Sequence, residues 1–224
     1  MIAHVNGIDL FYEVTGAGRP LVMAHGNGED HTIFNEAVRV LRDSFTCYLV
    51  DTRGHGQSTP VQTFHYDDMA KDMTAFLEAL DLRDVVFYGF SDGGIVGLLA
   101  AADCDRITAL IVSGANLTPK GVKRGLRLWF RVQYLFKRDP KIALMLREPN
   151  ITDDVLRRIT AKTLVLAGSR DLIVPKETRQ IADGIPGAKL KILDGEDHGS
   201  YIVHQETIGQ IIREFIDAQG KESR

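Results

Sequence analysis

Cysteine is scarce in this sequence: there are two, Cys47 in TCYLV and Cys104 in AADCD. Two thiols cannot build a disulfide framework, so both are read as buried or inert residues in a reducing cytoplasm. Long hydrophobic runs are missing as well. The longest nearly apolar stretch, residues 93–102, falls well short of the roughly 20 residues that a membrane-crossing helix needs. The beginning, MIAHVNGIDLFYEV, has neither a basic segment nor an unbroken apolar one, so no secretory signal is expected. Neither sign of charge dominates: 27 Lys/Arg against 30 Asp/Glu give a net charge of −3, which removes the electrostatic ground for a nucleic-acid partner. Internal repeats and low-complexity linkers are absent. What is present is ordinary for a soluble globular protein: 224 residues, 44% hydrophobic and 25% charged, enough for one sizeable domain with its own core.

The order of apolar segments predicts the fold class. Residues 2–5 and 8–14 flank Asn6-Gly7, a strong signal for a tight hairpin. Short unbroken apolar runs follow at 21–24, 47–50, 85–88, 109–112, 163–167 and 190–193. Runs without alternation suit strands buried on both faces, as in a parallel sheet covered by helices. Helix-period segments lie between and after them, at 34–42, 66–80, 93–102, 176–184 and 203–218. Strand–helix alternation with short connections predicts right-handed crossovers. The fold class expected is α/β: a mostly parallel, doubly wound sheet of about eight strands with helices on both faces.

One stretch breaks the alternation. Residues 116–158 offer no strand-like run and carry eleven Lys/Arg against four Asp/Glu, leaving the rest of the chain at −10. Lys120, Lys123, Arg124, Arg127, Arg131 and Arg138 track one helical face, while Val122, Leu126, Trp129, Phe130 and Phe136 favour the other. The expectation is a single domain over 1–224 with a helical cap at about 116–158. Its basic face is read either as simply solvated or as a rim attracting an anionic substrate, with the apolar face roofing a pocket.

The chemistry-bearing signal is VVFYGFSDGGIVGLLAA. A buried strand runs through Gly89-Phe90-Ser91-Asp92-Gly93 directly into a helix, and this placement makes the G-x-S-x-G pattern specific. The chain must reverse sharply at Ser91, and Cβ atoms at Gly89 and Gly93 would collide across the turn. The Ser91 hydroxyl is thereby projected at a helix N-terminus. A phosphate-binding loop is excluded because neither the dinucleotide fingerprint nor a Walker A lysine is present. A serine hydroxyl needs a base, and the base an orienting acid. His198 follows the last strand run and Asp171 the one before it, so both loops open on the carboxyl edge of the sheet, where ligands bind in such folds. Asp51 and Asp197 are rival acids: Asp51 sits at an earlier strand end, and Asp197 adjoins the histidine too closely to brace its ring. An oxyanion hole would use the backbone N–H groups of Asn27, in His25-Gly26-Asn27-Gly28, and of Asp92. His25 is read as structural.

Taken together, GFSDGG, AHGNG, DTRGHGQS, GSRDLIVP and GEDHG resemble the α/β-hydrolase superfamily in order and spacing over essentially the whole chain. The resemblance implies Ser91, Asp171 and His198 as a catalytic triad, Asn27 and Asp92 as oxyanion donors, and no cofactor or metal. The segment Asp51–Ser58 resembles a strand-end loop that is usually structural. Two departures stand out: the cap is shorter than in many lidded members, and position 92 is acidic where many relatives carry methionine. A carboxylate beside the nucleophile favours cationic substrates, the basic cap anionic ones.

The function expected is hydrolysis of a small carboxylic ester, or a related thioester, lactone or amide, in a cytoplasmic protein. Phe90, with Trp129, Phe130 and Tyr134 of the cap, is the candidate pocket wall. The alternatives are a small-molecule sensor that keeps the triad and acts through a partner protein, and a C–C hydrolase or perhydrolase using the same residues. Partners expected are a small-molecule substrate, no nucleic acid and no membrane span, with a homodimer left open.

Overall fold

The computed structural model describes residues 1–222. Eight strands form one sheet: β1 (Ile2–Val5), β2 (Ile8–Thr15), β3 (Arg19–Ala24), β4 (Phe45–Val50), β5 (Val85–Phe90), β6 (Ile107–Ser113), β7 (Lys162–Gly168) and β8 (Lys189–Leu193). Their order is β1-β2-β4-β3-β5-β6-β7-β8. The hairpin β1–β2 and the pair β2–β4 are antiparallel, and every later pairing is parallel. Asn6 and Gly7 both take positive φ at the hairpin tip, as a type I′ turn demands.

Eight α-helices accompany the sheet: α1 (Asn35–Leu41), α2 (Tyr66–Ala79), α3 (Asp92–Asp103), α4 (Arg124–Lys137), α5 (Pro140–Arg147), α6 (Asp153–Arg158), α7 (Pro175–Gly184) and α8 (Thr207–Glu222). Helices α1 and α8 bury Leu41, Ile208 and Ile212 against one face of the sheet, alongside Leu21 and Ile111. Helices α2, α3, α6 and α7 bury Met73, Leu98, Leu156 and Ile181 on the other, alongside Val22 and Leu110. Alternate residues of one strand thus feed two cores, which is why these strands read as continuous apolar runs.

The order reverses beside β3: the chain leaves it outward to β4, then returns across it to β5. The carboxyl ends of β3 and β5 therefore bound the crevice in which an open α/β sheet takes its ligand. Between β6 and β7 the chain is helical, with a short 3₁₀ turn at Pro119–Gly121 before α4, α5 and α6.

Two expectations need correction. Strand β8 is not buried on both faces, because it closes the sheet edge and leaves Leu190 and Ile192 exposed. The last helix begins at Thr207 rather than 203, since residues 200–204 fold as turns and His204 takes a positive φ.

Candidate active site

Strand β5 is buried along its whole length and stops at Phe90. Ser91 follows with φ 53° and ψ −113°, and α3 begins at the next residue. The bend is packed too tightly for larger neighbours. A Cβ on Gly89 would lie 2.1 Å from the Gly93 carbonyl oxygen, and one on Gly93 would lie 2.1 Å from that of Ala24. The Ser91 N–H donates to the Ser113 carbonyl at 2.8 Å and the Gly93 N–H to that of His25 at 3.0 Å, tying the bend to β6 and to the end of β3.

Asp171 and His198 arrive from the ends of β7 and β8. The Asp171 N–H donates to the Gly168 carbonyl at 3.2 Å, and Asp171 Oδ1 accepts from the Ile173 N–H at 2.9 Å, so the carboxylate is set by its own turn. The two loops are joined where the Arg170 N–H donates to the Glu196 carbonyl at 2.9 Å. His198 Nδ1 lies 2.7 Å from Asp171 Oδ1, and its Nε2 lies 3.0 Å from Ser91 Oγ. A carboxylate can only accept, so Nδ1 carries the ring hydrogen and Nε2 faces the serine hydroxyl with its lone pair. Burial pushes the Asp171 carboxyl up, but the hydrogen bond and charge of His198 and the N–H groups of Ile173 and Gly168 outweigh it and hold the carboxyl below its ordinary range. The rival acids are engaged elsewhere. Asp51 accepts from the His31 backbone and ring and from the Gln57 N–H, while Asp197 accepts from the Gly199 and Ser200 N–H groups and so shapes the histidine loop.

The loop after β3 is anchored by His25. Its Nδ1 donates to the Gly26 carbonyl at 2.8 Å, and its Nε2 accepts from the Thr52 N–H at 3.1 Å. Burial pushes its pKa down, so the neutral tautomer that makes both bonds is the one retained. The Gly26 N–H is taken by the Glu29 carboxylate at 2.9 Å. Neither the Asn27 nor the Asp92 N–H donates to another group among the described residues. Their side chains meet instead: Asn27 Nδ2 donates to Asp92 Oδ2 and the Tyr66 hydroxyl to Asp92 Oδ1, both at 2.8 Å. Burial raises the Asp92 carboxyl pKa despite these donors.

A cavity of about 50 Å³ opens over Ser91 and His198. Val122, Leu126, Phe130, Met145, Leu172 and Ile173 give it apolar walls; Tyr66, Asp92, Asn116 and Glu148 are its polar lining. Of the expected pocket wall, Phe130 is in place. Phe90 is not: it is buried beneath the site, its ring 5.0 Å from that of His198. Tyr134 lines a neighbouring cleft with His65 and Arg138. Trp129 stands half exposed on the outer side of α4: at about 100° per residue it lies about 60° from Leu126 on the side away from Phe130, and the cavity takes the 126–130 side.

Sequence reasoning missed Tyr66, Glu148 and Leu172, which reach the cavity from α2, from the end of α5 and from the loop after β7. It also missed Gly114, whose φ is 63° and where a Cβ would lie 2.7 Å from His198 Cε1; the imidazole occupies the space a side chain would need. The only signal was a glycine directly after a buried strand. Asp30, His31 and Asp51 bring ligand-type atoms within 4.8 Å of one another. Both Asp51 oxygens and Asp30 Oδ1 already accept hydrogen bonds from the chain, which accounts for the cluster structurally.

The sequence matches the family described as alpha/beta hydrolase fold over residues 19–138, a span that holds Ser91 and ends before Asp171 and His198. It is 28% identical to the AB hydrolase superfamily protein YisY of Bacillus subtilis, covering 93% of this chain and 95% of that protein. It is 26% identical to the serine hydrolase BPHL of Homo sapiens, covering 95% and 84%, and 25% identical to the non-heme chloroperoxidase CPO-A1 of Kitasatospora aureofaciens, covering 95% and 97%. Among solved structures, the enol-lactonase from Burkholderia xenovorans LB400 superposes with a TM-score of 0.80 at 21% identity, over 97% of this chain and all of that one, a likeness of fold. No helix among the described residues is long and apolar enough to cross a membrane. The chain belongs to the alpha/beta hydrolase fold family of enzymes.

Proposed function

We propose that this protein hydrolyses small, uncharged carboxylic esters through an acyl-enzyme on Ser91. The observation that carries the reading is the continuous contact from Asp171 Oδ1 to His198 Nδ1 and from His198 Nε2 to Ser91 Oγ, at 2.7 and 3.0 Å. As Oγ attacks the acyl carbon, Nε2 takes the hydroxyl proton, and Asp171 stabilises the imidazolium that forms. The N–H groups of Asn27 and Asp92, which donate to no other group among the described residues, are the donors this reading assigns to the developing oxyanion; each such donor is worth about 3–4 kcal/mol in the transition state. His198 then gives its proton to the departing alkoxide, and repeats both transfers with water to free the carboxylic acid and Ser91.

The cavity of about 50 Å³ and its apolar walls suit a short acyl chain. Both carboxyl groups on its lining are hydrogen-bonded, Asp92 by Asn27 and Tyr66, Glu148 by the Tyr66 N–H and His65. The basic side chains Lys123, Arg124 and Arg131 are exposed outside the cavity. The opposing charges seen in the sequence thus fall on opposite sides of the cap, and a neutral ester fits what remains between them.

The test is steady turnover of p-nitrophenyl acetate and butyrate by the parent protein and by Ser91→Ala. The reading expects turnover in the first and its loss, with unchanged circular dichroism, in the second. A single burst without turnover favours the sensor, and parent-like activity in Ser91→Ala refutes the assignment. The chloroperoxidase relative favours one second reading, perhydrolysis. There hydrogen peroxide replaces water in clearing the acyl-enzyme and leaves as the peracid, which would be detected directly when peroxide is added with an acetate ester.

A further inference from the structure

Helix α4 carries more apolar surface than the cap can cover. Leu126 and Phe130 point inward onto the cavity. Leu128, Trp129, Val132, Leu135 and Phe136 do not: Phe136 is 84% exposed, Leu135 64%, Leu128 61% and Trp129 51%. At about 100° per residue these five share one stripe, about 120° wide, running the length of the helix. Scattered apolar residues on a surface need no explanation, but five on a single helical stripe do.

Along one edge of that stripe runs a basic ridge of Arg124, Arg127, Arg131 and Arg138, with Lys123 and Lys137 at the two ends. No Asp or Glu occurs from residue 123 through 138. None of these six cations has an ion pair among the described residues; Arg138 lies over the Tyr134 ring at 5.6 Å, and Arg127 donates to the Pro119 carbonyl at 3.5 Å. The cover for this face must therefore be apolar and anionic together. A second copy of the chain fails that requirement, since two-fold pairing of α4 sets ridge beside ridge when antiparallel and ridge against an uncharged edge when parallel, and α4 offers no acidic residue in either case. A free anion or a nucleic acid leaves the apolar stripe in water. An anionic lipid bilayer supplies both: headgroup phosphates for the ridge and the acyl boundary for leucine, tryptophan and phenylalanine.

We infer that α4 is an interfacial docking helix, by which this protein lies on the surface of an anionic membrane without spanning it. Docked this way, the outer side of α4 is in the lipid boundary while its inner side still roofs the cavity over Ser91, so the mouth of the site is held at the membrane surface. The inference concerns the outer face alone and stands whether or not Ser91 turns over esters.

Trp129 is the only tryptophan in the chain and sits on the stripe, so the native protein reports its own binding. The experiment mixes the full chain with phosphatidylglycerol vesicles or with phosphatidylcholine vesicles, and reads Trp129 emission, acrylamide quenching and co-sedimentation. The expected result is a blue shift, protection from acrylamide and co-sedimentation with phosphatidylglycerol only, weakening as salt is raised. Arg124→Glu with Arg131→Glu should lower the partition coefficient at least about 25-fold, at about fivefold for each cation lost. Leu135→Glu with Phe136→Glu should abolish the blue shift; all four residues are exposed, so circular dichroism should not change. Absence of any shift and of co-sedimentation overturns the inference, as does equal binding to both lipids. A blue shift without vesicles that grows with protein concentration, alongside a dimer in sedimentation velocity, assigns the stripe to a second copy and overturns it too.

Discussion

Replacing Asp171 with asparagine exchanges one carboxylate oxygen for an NH₂ group and changes almost no shape. The carboxylate is buried, with Oδ1 2.7 Å from His198 Nδ1 and 2.9 Å from the Ile173 N–H. An amide in the same place can present its NH₂ to the ring, which favours the tautomer with hydrogen on Nε2. That tautomer has no lone pair facing Ser91 Oγ. The amide also removes the negative charge that offsets the imidazolium. Two unit charges 2.7 Å apart, in an effective dielectric of about 20, interact by about 6 kcal/mol. At about 1.4 kcal/mol for each tenfold in rate, this is a fall of roughly four decades in kcat, the size of loss expected when such an acid becomes its amide. Cavity contacts with the ester are untouched, so KM should change by less than about threefold. The assay is p-nitrophenyl butyrate turnover at pH 7.5 on protein of verified fold, with Asp51→Asn alongside as the rival. A loss below tenfold in Asp171→Asn refutes the reasoning, and the more so if Asp51→Asn is inactive while folded.

Further outcomes can be measured on the same protein. Gly93→Ala should cost about 3 kcal/mol or more by urea unfolding, because its Cβ would lie 2.1 Å from a backbone oxygen of β3 that cannot swing aside; a cost under about 0.5 kcal/mol contradicts the packing described. Burial, then the neighbouring His25 and Lys141, push the His55 pKa down to about 4. The unfolded chain, with a histidine pKa of about 6.5, binds that proton first, so stability should fall as pH drops from about 6.5 to about 4, by up to about 3 kcal/mol from this group. His55→Gln should flatten that decline between pH 7 and pH 4.5, and an unchanged slope would assign it elsewhere. Phe130→Ala should raise KM for the butyrate ester about tenfold with little change in kcat, since it removes a wall of the cavity and no reacting group; a fall in kcat with KM unchanged would place Phe130 in the chemistry.

Much of this architecture was legible because buried parallel strands leave a mark no other element leaves so plainly. The runs at 85–88 and 109–112 lie within strands apolar on both sides, β5 and β6. The edge strand β8 was legible as a strand but not as exposed, because Leu190 and Ile192 carry the same side chains whether or not a helix covers them. The bend at Ser91 could be read from Gly89 and Gly93, since glycine there answers a local steric demand. Tyr66 and Glu148 could not, for they meet at the cavity only through the way α2 and the end of α5 come together around it. Helix α4 marks the boundary most clearly. Its sequence reads as a single apolar face holding Leu126, Trp129, Phe130 and Phe136, yet the three-dimensional arrangement turns only Leu126 and Phe130 to the cavity and leaves Trp129 and Phe136 on the outer side.

The central claim is that His198 makes the Ser91 hydroxyl a nucleophile. Its most direct test is covalent: treat the protein with a fluorophosphonate, digest it, and locate the adduct by tandem mass spectrometry, in parallel with His198→Ala. The account predicts one adduct per chain, on Ser91, forming in step with the loss of ester turnover and almost absent in His198→Ala. An adduct on another residue, or an unlabelled Ser91 in protein whose turnover has been abolished, would contradict it.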